Sequence, residues 1–446
     1  MMRVSVIGAG HVGLVTGACL AEKGHHVLCV DKDPQKVSKV NHAIAPFYEA
    51  GLEDLLKRNI NKTFSATTNL HQAILDSEIT LIAVGTPFDG NQIDLTQVQE
   101  VSAQVGGVLK EKAGYHAVIV KSTVVPGTTD EVVLPTLEKA SGKTAGLEFG
   151  VGMNPEFLTE GQAVADFMIP DRIVLGANDE KSMRLLEQLF EPFDGIPRLK
   201  TNCKAAEMVK YTSNAMLATQ ISFTNEIANL CSALGGVDVV DVMKGVHLSS
   251  YLCPTASDGS RVQAPLSSFL EAGCGFGGSC LPKDVKALIG HGKKSGSPMP
   301  LLTAVMEGNR RQPGEVIRLL RKHFTSLKDV RITILGLAFK PDTDDMRESP
   351  AIPIIEELLA QKALLKGYDP VAHHEARKLF SPQQLSLSES LEEALARVDA
   401  IVLVTCWGQF REVPELLARV NPQAIFVDGR RMLDKHRFAH YEGIGL

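Results

Sequence analysis

The stretch Val4-Ser5-Val6-Ile7-Gly8-Ala9-Gly10-His11-Val12-Gly13 stands at the start of the chain. Val4 to Ile7 reads as a strand, and a helical pattern begins at His11, so the spacing G-x-G-x-x-G falls on a strand-to-helix turn. The spacing alone is weak evidence; its setting makes it a dinucleotide-binding signature. Gly8 permits the tight turn, Gly10 lets the backbone approach a pyrophosphate, and Gly13 lets helix and strand pack closely. Asp31 closes the next apolar run, Val27 to Val30, where a carboxylate hydrogen-bonds the adenosine ribose. It would repel a 2'-phosphate, so NAD is expected over NADP, with Lys32 beside it softening the discrimination.

Outward from this turn, Ile79 to Val84 and Val118 to Val120 also read as strands, with helices expected over 11–23, 34–42, 95–112 and 128–140. Strands and helices in alternation imply a parallel sheet covered on both faces, extended by Phe149 to Val151 and Ile173 to Leu175. From Lys204 to Lys294 helical periodicity takes over. Ala205 to Leu234 forms one long helix that stops at Gly235-Gly236, and Cys253 to Pro265 reads as a surface loop. Strands return at Ile332 to Leu335, Leu364 to Tyr368, Ile401 to Thr405 and Ile425 to Val427. D-S-E-I-T-L-I-A-V-G-T-P and R-V-D-A-I-V-L-V-T-C-W correspond in kind: an acidic residue, an apolar strand, then a loop. The expected fold is α/β, two doubly wound Rossmann-like domains (1–203 and 311–446) joined by a helical, dimer-forming region (204–310). Ligands bind at the carboxyl ends of such strands, so two domains of this kind suggest two ligands in one cleft.

With 446 residues the chain exceeds one ordinary core, and 44% hydrophobic with 22% charged residues is a globular balance. A net charge of -6 leaves no broad basic surface for nucleic acid. No run approaches the ~20 apolar residues that span a bilayer, and the opening residues lead straight into a strand, so neither a membrane span nor a signal peptide is expected. The eight cysteines are scattered singly, which fits a reducing cytoplasm and excludes a zinc site.

Four further motifs carry chemistry. In Phe276-Gly277-Gly278-Ser279-Cys280-Leu281-Pro282-Lys283-Asp284, Pro282 suits the first residue of a helix, placing Cys280 at its N-terminus. Unpaired N–H groups and Lys283 would favour a thiolate there, and the glycines would let a substrate approach the backbone. In Ala206 to Asn214, Lys210 and Asn214 are one turn apart on one helix face; partial burial of Lys210 would suit it to proton transfer or oxyanion stabilisation. In Asn154-Pro155-Glu156-Phe157-Leu158-Thr159-Glu160, the two glutamates either cap a helix or orient water. Gly85-Thr86-Pro87 and Lys121-Ser122-Thr123 lie at strand carboxyl ends, the rim along which a cofactor runs.

These motifs, with K-S-T-V-V-P-G-T, L-G-L-A-F-K-P-D-T-D-D-M-R-E-S-P and Y-D-P, resemble in order those of the UDP-glucose/GDP-mannose 6-dehydrogenases over nearly the whole chain. The resemblance implies a four-electron oxidation of a nucleotide sugar at C6, through a thiohemiacetal and a thioester on Cys280. It implies proton handling and oxyanion stabilisation by Lys210 and Asp284, water organised by Glu156 with Thr123, and assistance from Asn214 and Glu160. NAD would meet Gly8, Gly10, His11, Val12, Gly13, Asp31, Lys36, Gly85, Thr86, Pro87, Ser122, Thr123, Glu160, Lys283 and Arg347. The sugar nucleotide would meet Glu156, Phe157, Leu158, Lys210, Asn214, Phe269, Leu270, Gly277, Cys280, Phe339 and Lys340. No metal is implied.

Departures from the family's patterns bear on the sugar. Many UDP-glucose enzymes carry Arg-Ile-Gly ahead of the segment matching Phe269, where this chain has Cys253 to Pro265 with Arg261 out of register. Close GDP-mannose enzymes have arginine where this chain has Glu271, yet S-C-L-P-K-D followed by V-K-A-L leans toward that branch. An acetamido sugar would call for a His-Cys-Ile-Pro sequence. UDP-glucose is the expected substrate and GDP-mannose the alternative. A one-step alcohol dehydrogenase needs no thiol, and a non-catalytic sugar-nucleotide binder needs neither Cys280 nor Lys210. A homodimer through the long helix is the minimum expected assembly.

Overall fold

Strands form where apolar runs are buried on both faces. The computed structural model describes every residue except Asn91 and divides into two units, Met1–Ser213 and Asn214–Leu446. In the first, β1 (Arg3–Ile7), β2 (His26–Val30), β3 (Phe64–Thr67), β4 (Ile79–Ile82), β5 (His116–Val120), β6 (Phe149–Met153), β7 (Ile173–Ala177) and β8 (Arg198–Thr201) make one sheet of order 3-2-1-4-5-6-7-8. Alternation decides the layers. Val4, Val6, Leu81 and Ile119 pack with Leu14 and Ala18 of helix His11–Glu22 on one face. Ile7, Ile82, Val118 and Val120 pack with Val98 and Val105 of helix Thr96–Leu109 on the other.

The sheet departs from the all-parallel expectation at one place. β7 runs antiparallel to β6, with Met153 opposite Gly176. The intervening chain does not cross to the far end of the sheet: the Asn154 side chain at the end of β6 donates to the Val174 carbonyl (2.8 Å), and β7 re-enters from the same end. β4 also ends at Ile82 rather than Val84, because Lys121 and Ser122 N–H both turn onto the Ile82 carbonyl. β3 forms an edge whose Ala66 N–H and C=O are both met by the Asn41 side-chain amide, at 2.9 Å each.

In the second unit β9 (Arg331–Leu335), β10 (Leu364–Tyr368), β11 (Ser386–Leu387), β12 (Ala400–Leu403), β13 (Ile425–Asp428) and β14 (Tyr441–Gly443) form a fully parallel sheet of order 11-10-9-12-13-14. The long helix, Cys203–Leu234, starts two residues before the expected Ala205 because the Asn202 side chain accepts the Ala205 N–H (2.8 Å). It stops where Gly235 and Gly236 take left-handed φ of 69° and 71°. Among the described residues no helix is long and apolar enough to cross a membrane.

The turns after β1 and β9 share one geometry. Gly8 N–H donates to Val30 C=O (2.7 Å), and Gly336 N–H to Tyr368 C=O (2.8 Å). Ala9 N–H meets Asp31 Oδ2 (2.9 Å), and Leu337 N–H meets Asp369 Oδ2 (2.8 Å).

A polar thread crosses the first sheet from Ser5 through Thr80 to His116, each link 2.7 Å. Burial, then Lys112, brings the His116 pKa down to about 3. The folded chain thus keeps His116 neutral where an unfolded histidine, with a pKa of 6.5, takes a proton. Stability contributed by this site is full above pH 6.5 and falls as the pH drops toward 3, by up to about 1.4 kcal/mol per pH unit. Urea unfolding across that window should show a shallower acid slope for His116→Gln than for wild type; equal slopes would contradict this assignment.

Candidate active site

At the carboxyl end of β1 the glycines divide their work. A Cβ on Gly13 would lie 1.9 Å from the Gly8 carbonyl oxygen and 3.1 Å from Ala83 Cβ, so Gly13 is required by packing. A Cβ on Gly10 would meet nothing within 4 Å, which leaves the backbone there open to a ligand. The helix that follows has no side-chain cap, so its first N–H groups suit a pyrophosphate. Asp31 accepts from Ala9 N–H (2.9 Å), Asp33 N–H (3.0 Å) and Lys36 Nζ (3.0 Å). Burial works against its charge, but these donors outweigh it and hold the carboxyl below the usual range. These features fit a dinucleotide.

Neighbouring loops brace this edge. His11 Nε2 pairs with Glu49 (2.7 Å), a buried carboxylate that also accepts the Gly161 and Ala163 N–H groups. Nothing in the spacing of the chain marked Glu49. Val12 is half-buried beside His11. Thr86 donates to the Thr123 carbonyl (2.7 Å) and Ser122 to the Val84 carbonyl (2.7 Å), so both hydroxyls join the loops after β4 and β5. Gly85 and Pro87 flank Thr86 on the exposed side.

Beyond β6 lies a buried charge cluster. Lys210 Nζ stands 2.9 Å from Glu156 Oε1, and both side chains are about 5% exposed or less. Glu156 Oε2 accepts the Leu158 N–H (2.7 Å), and the Thr123 hydroxyl approaches Oε1 at 3.4 Å. Burial raises the Glu156 pKa, yet Lys210 and the Leu158 N–H more than offset it, so the carboxyl is held below its ordinary range. No helix starts at Glu156 or Glu160: the next one is Ala163–Met168 with Gln162 at its cap, which removes the capping alternative. Glu160 is half-buried, and the Phe157 ring lies 3.9 Å from the Arg172 guanidinium. Lys121 donates to Asn154 Oδ1 (2.7 Å), a buried pair that the motifs contained but the spacing did not single out.

In the second unit Cys280 is the cap of helix Leu281–Lys294. Leu281, not Pro282, is its first residue, because the Asp284 N–H already closes a turn on the Cys280 carbonyl (2.9 Å). The Ser279 hydroxyl is 3.6 Å from the Cys280 sulfur. Asp284 is 1% exposed; one oxygen accepts from Asn214 Nδ2 (2.6 Å) and the other faces Lys283 Nζ (3.2 Å). The glycines before Cys280 are required by packing within the protein. A Cβ on Gly277 would be 2.2 Å from the Glu348 carbonyl, and one on Gly278, at φ 85°, would strike the Phe339 ring at 2.6 Å. Arg347 is largely exposed and held by Asp345 (2.7 Å), while Phe339 and Lys340 are half-buried in the turn after β9. Phe269 closes a short 3-10 turn, followed by buried Leu270. Arg261 turns back onto the Leu248 and Cys253 carbonyls and so fastens its own loop.

All eight cysteines are among the described residues and none is disulfide-bonded. Burial pushes the Cys19 and Cys29 thiols up to about 12 and Cys406 up to about 11, which leaves them unreactive.

A dinucleotide turn in one α/β unit and a cysteine at a helix N-terminus in the other fit an NAD-dependent dehydrogenase. The chain belongs to the UDP-glucose/GDP-mannose dehydrogenase family: residues 2–194 match its NAD binding domain, 204–311 its central domain and 333–435 its UDP binding domain. It is 40% identical to a UDP-glucose 6-dehydrogenase of Haloferax volcanii, over 99% of this chain and 100% of that one. It is 36% identical to a GDP-mannose 6-dehydrogenase of Pseudomonas aeruginosa, over 90% and 91%. A solved UDP-glucose dehydrogenase from Pyrobaculum islandicum matches with a TM-score of 0.90 at 34% identity, covering 100% of this chain and 98% of that one.

If the Asp31 carboxylate sets the choice of cofactor, Asp31→Asn should lower the preference for NAD over NADP by about tenfold or more, the worth of a charged hydrogen bond. Titration calorimetry with both nucleotides measures it. An unchanged ratio would remove Asp31 from that role.

Proposed function

We propose that the protein oxidises UDP-glucose at C6 to UDP-glucuronate, removing two hydrides and using Cys280 as a covalent nucleophile. The observation that carries this reading is Cys280 at a helix N-terminus whose first turn holds the buried Asp284–Asn214 pair, an arrangement that ligand binding alone does not need. UDP-glucose is preferred to GDP-mannose because the relative named for it is the more similar, at 40% against 36% identity.

Lys210 accepts the C6 hydroxyl proton as the first hydride departs. Bound NAD supplies the acceptor for each of the two hydrides. The Cys280 thiolate then adds to the aldehyde carbon, and Lys210 returns its proton to the new oxygen, giving the thiohemiacetal. Loss of that proton to Lys210 and of the second hydride leaves a thioester. Glu156, as a carboxylate, and Thr123 hold the water that attacks it, Glu156 taking the proton the water gives up, while the Asn214 amide and the protonated Lys210 stabilise the oxyanion. Asp284 fixes the Asn214 amide. The Cys280 thiolate leaves at the N-terminus of its own helix, whose dipole stabilises it. Residues 1–203, 204–310 and 311–446 serve as NAD-binding, bridging and sugar-nucleotide domains, and unbridged cysteines favour the cytoplasm as the setting.

Wild type supplied with UDP-glucose, GDP-mannose, UDP-galactose and UDP-N-acetylglucosamine should release two NADH per sugar, with the highest kcat/KM for UDP-glucose. A higher value for GDP-mannose overturns the sugar, and one NADH per sugar overturns the four-electron course. Saturable sugar-nucleotide binding without NADH would favour a binding protein. Cys280→Ser keeps a good helix cap, so its Tm should change little, while turnover falls by several orders of magnitude, about 10³ or more. Mass spectrometry should find a stalled ester or aldehyde; wild-type conversion would make Cys280 structural.

We also propose a homodimer built on the long helix. Met216, Phe223 and Leu230 recur every seventh residue and are 49%, 55% and 54% exposed, forming an apolar stripe that a monomer gains nothing by showing to water. Phe223→Glu should convert a dimer to monomers in sedimentation equilibrium; an unaltered mass would place the interface elsewhere.

A further inference from the structure

The motif K-S-T places a lysine directly after a strand that is buried throughout. Lys121 is 3% exposed, and its ammonium donates to Asn154 Oδ1 at 2.7 Å and lies 5.6 Å from the Phe167 ring. Asn154 is itself fixed by its bond to the Val174 carbonyl, so the lysine is aimed by a rigid partner. Lys121, Asn154 and Glu156 line one cavity of about 300 Å3. The other charged groups on its wall are engaged elsewhere: Asp171 pairs with Arg172 (2.6 Å), and Asp166 accepts the Thr159 N–H (2.8 Å).

We propose that Lys121 is a positioning residue for Glu156: together with Lys210 it sets two cations on one buried carboxylate, and it keeps that carboxylate ionised while Lys210 is without its proton. The proposal rests on the roles assigned above to Glu156 and Lys210. Its physical basis is charge counting. With both lysines protonated the triad carries +1, and when Lys210 becomes neutral it carries zero. Were Lys210 the sole cation, its neutralisation would leave a bare carboxylate away from water, which recovers by taking up a proton. A protonated Glu156 can no longer accept the hydrogen bond of an attacking water. Lys121 separates the two events, so Lys210 can cycle its proton without altering its partner. Burial first, with Lys210 adding and Glu156 opposing, brings the Lys121 pKa down to about 8, which leaves it charged at neutral pH.

Carbon-13 NMR of protein labelled at the glutamate carboxyls, with the Glu156 signal assigned by its loss in Glu156→Gln, tests the charge state directly. In Lys210→Ala at pH 7 the Glu156 carboxyl should remain ionised, and adding Lys121→Met should protonate it. A protonated carboxyl in Lys210→Ala, or an ionised one in the double variant, overturns the proposal. In turnover, Lys121→Met should move the acid limb of kcat upward by about one to three pH units, the reach of one neighbouring charge, with KM for the sugar nucleotide little changed. A lysine that merely pinned Asn154 would lower Tm and leave the acid limb in place. Should Lys121→Met not fold, Lys210→Ala alone still decides. Wild type yielding no NADH would sink the functional reading, while the NMR comparison would still report on Lys121.

Discussion

No carbon atom can be added at Gly13, because it would fall 1.9 Å from the Gly8 carbonyl oxygen. That contact locks strand, turn and helix together at the point where the strand order reverses between β2 and β4 on either side of β1. The same helix presses on Ala83, so the end of β4 is set by the turn after β1, and the loops carrying Thr86, Ser122 and Thr123 follow from it. Once parallel strands are covered on both faces, their carboxyl ends are the edge at which loops can differ without disturbing the core. The first turn glycine is confined in both units, since a Cβ on Gly8 would lie 2.6 Å from the Ala83 carbonyl oxygen and one on Gly336 2.4 Å from Thr405.

The repetition stops at the carboxylate. Asp31 is only partly buried and lies beside an open glycine backbone. Asp369, at the equivalent place, is 1% exposed and accepts from the Leu337, Ala338, Val371 and Ala372 N–H groups and the Trp407 indole. Its acceptor sites are filled by the protein, so it braces a turn and leaves no place for a ribose. The difference agrees with an NAD binding match in one unit and a UDP binding match in the other. Buried charge is costly elsewhere too: an ion pair such as Lys210–Glu156 adds little to stability against an apolar pair of equal volume, because desolvation opposes the attraction.

Much of this was legible in the chain. Central strands were readable because each is a continuous apolar run, and the Gly8 turn because its glycines fall between a strand and a helix. The edge strands were not. Arg198–Thr201 is mostly exposed and carries two cations, Phe64–Thr67 is half-buried, and the two- and three-residue β11 and β14 are too short to show a period. The reversed direction of β7 depends on Asn154 reaching Val174, a tertiary bond with no local signature. Of the candidate site, Cys280, Lys210 and Glu156 stood out in the chain through their motifs. Glu49 was not, because its partners, His11, Gly161 and Ala163, are far from it in sequence. The glycines before Cys280 were visible as residues, but what fills the space beside them, Phe339 and Glu348, comes from a distant loop.

The Asn41 amide that meets both backbone groups of Ala66 acts as a one-residue surrogate for a ninth strand. An open sheet edge is a template for any chain with unpaired amides, and β3 would otherwise offer one. At the opposite edge, β8 displays Arg198 and Lys200, whose charges oppose apolar stacking of a second sheet. The smaller sheet ends in strands too short to propagate a ladder. Growth of strand-mediated fibres is therefore opposed at every border, by a side-chain amide, by charge or by shortness.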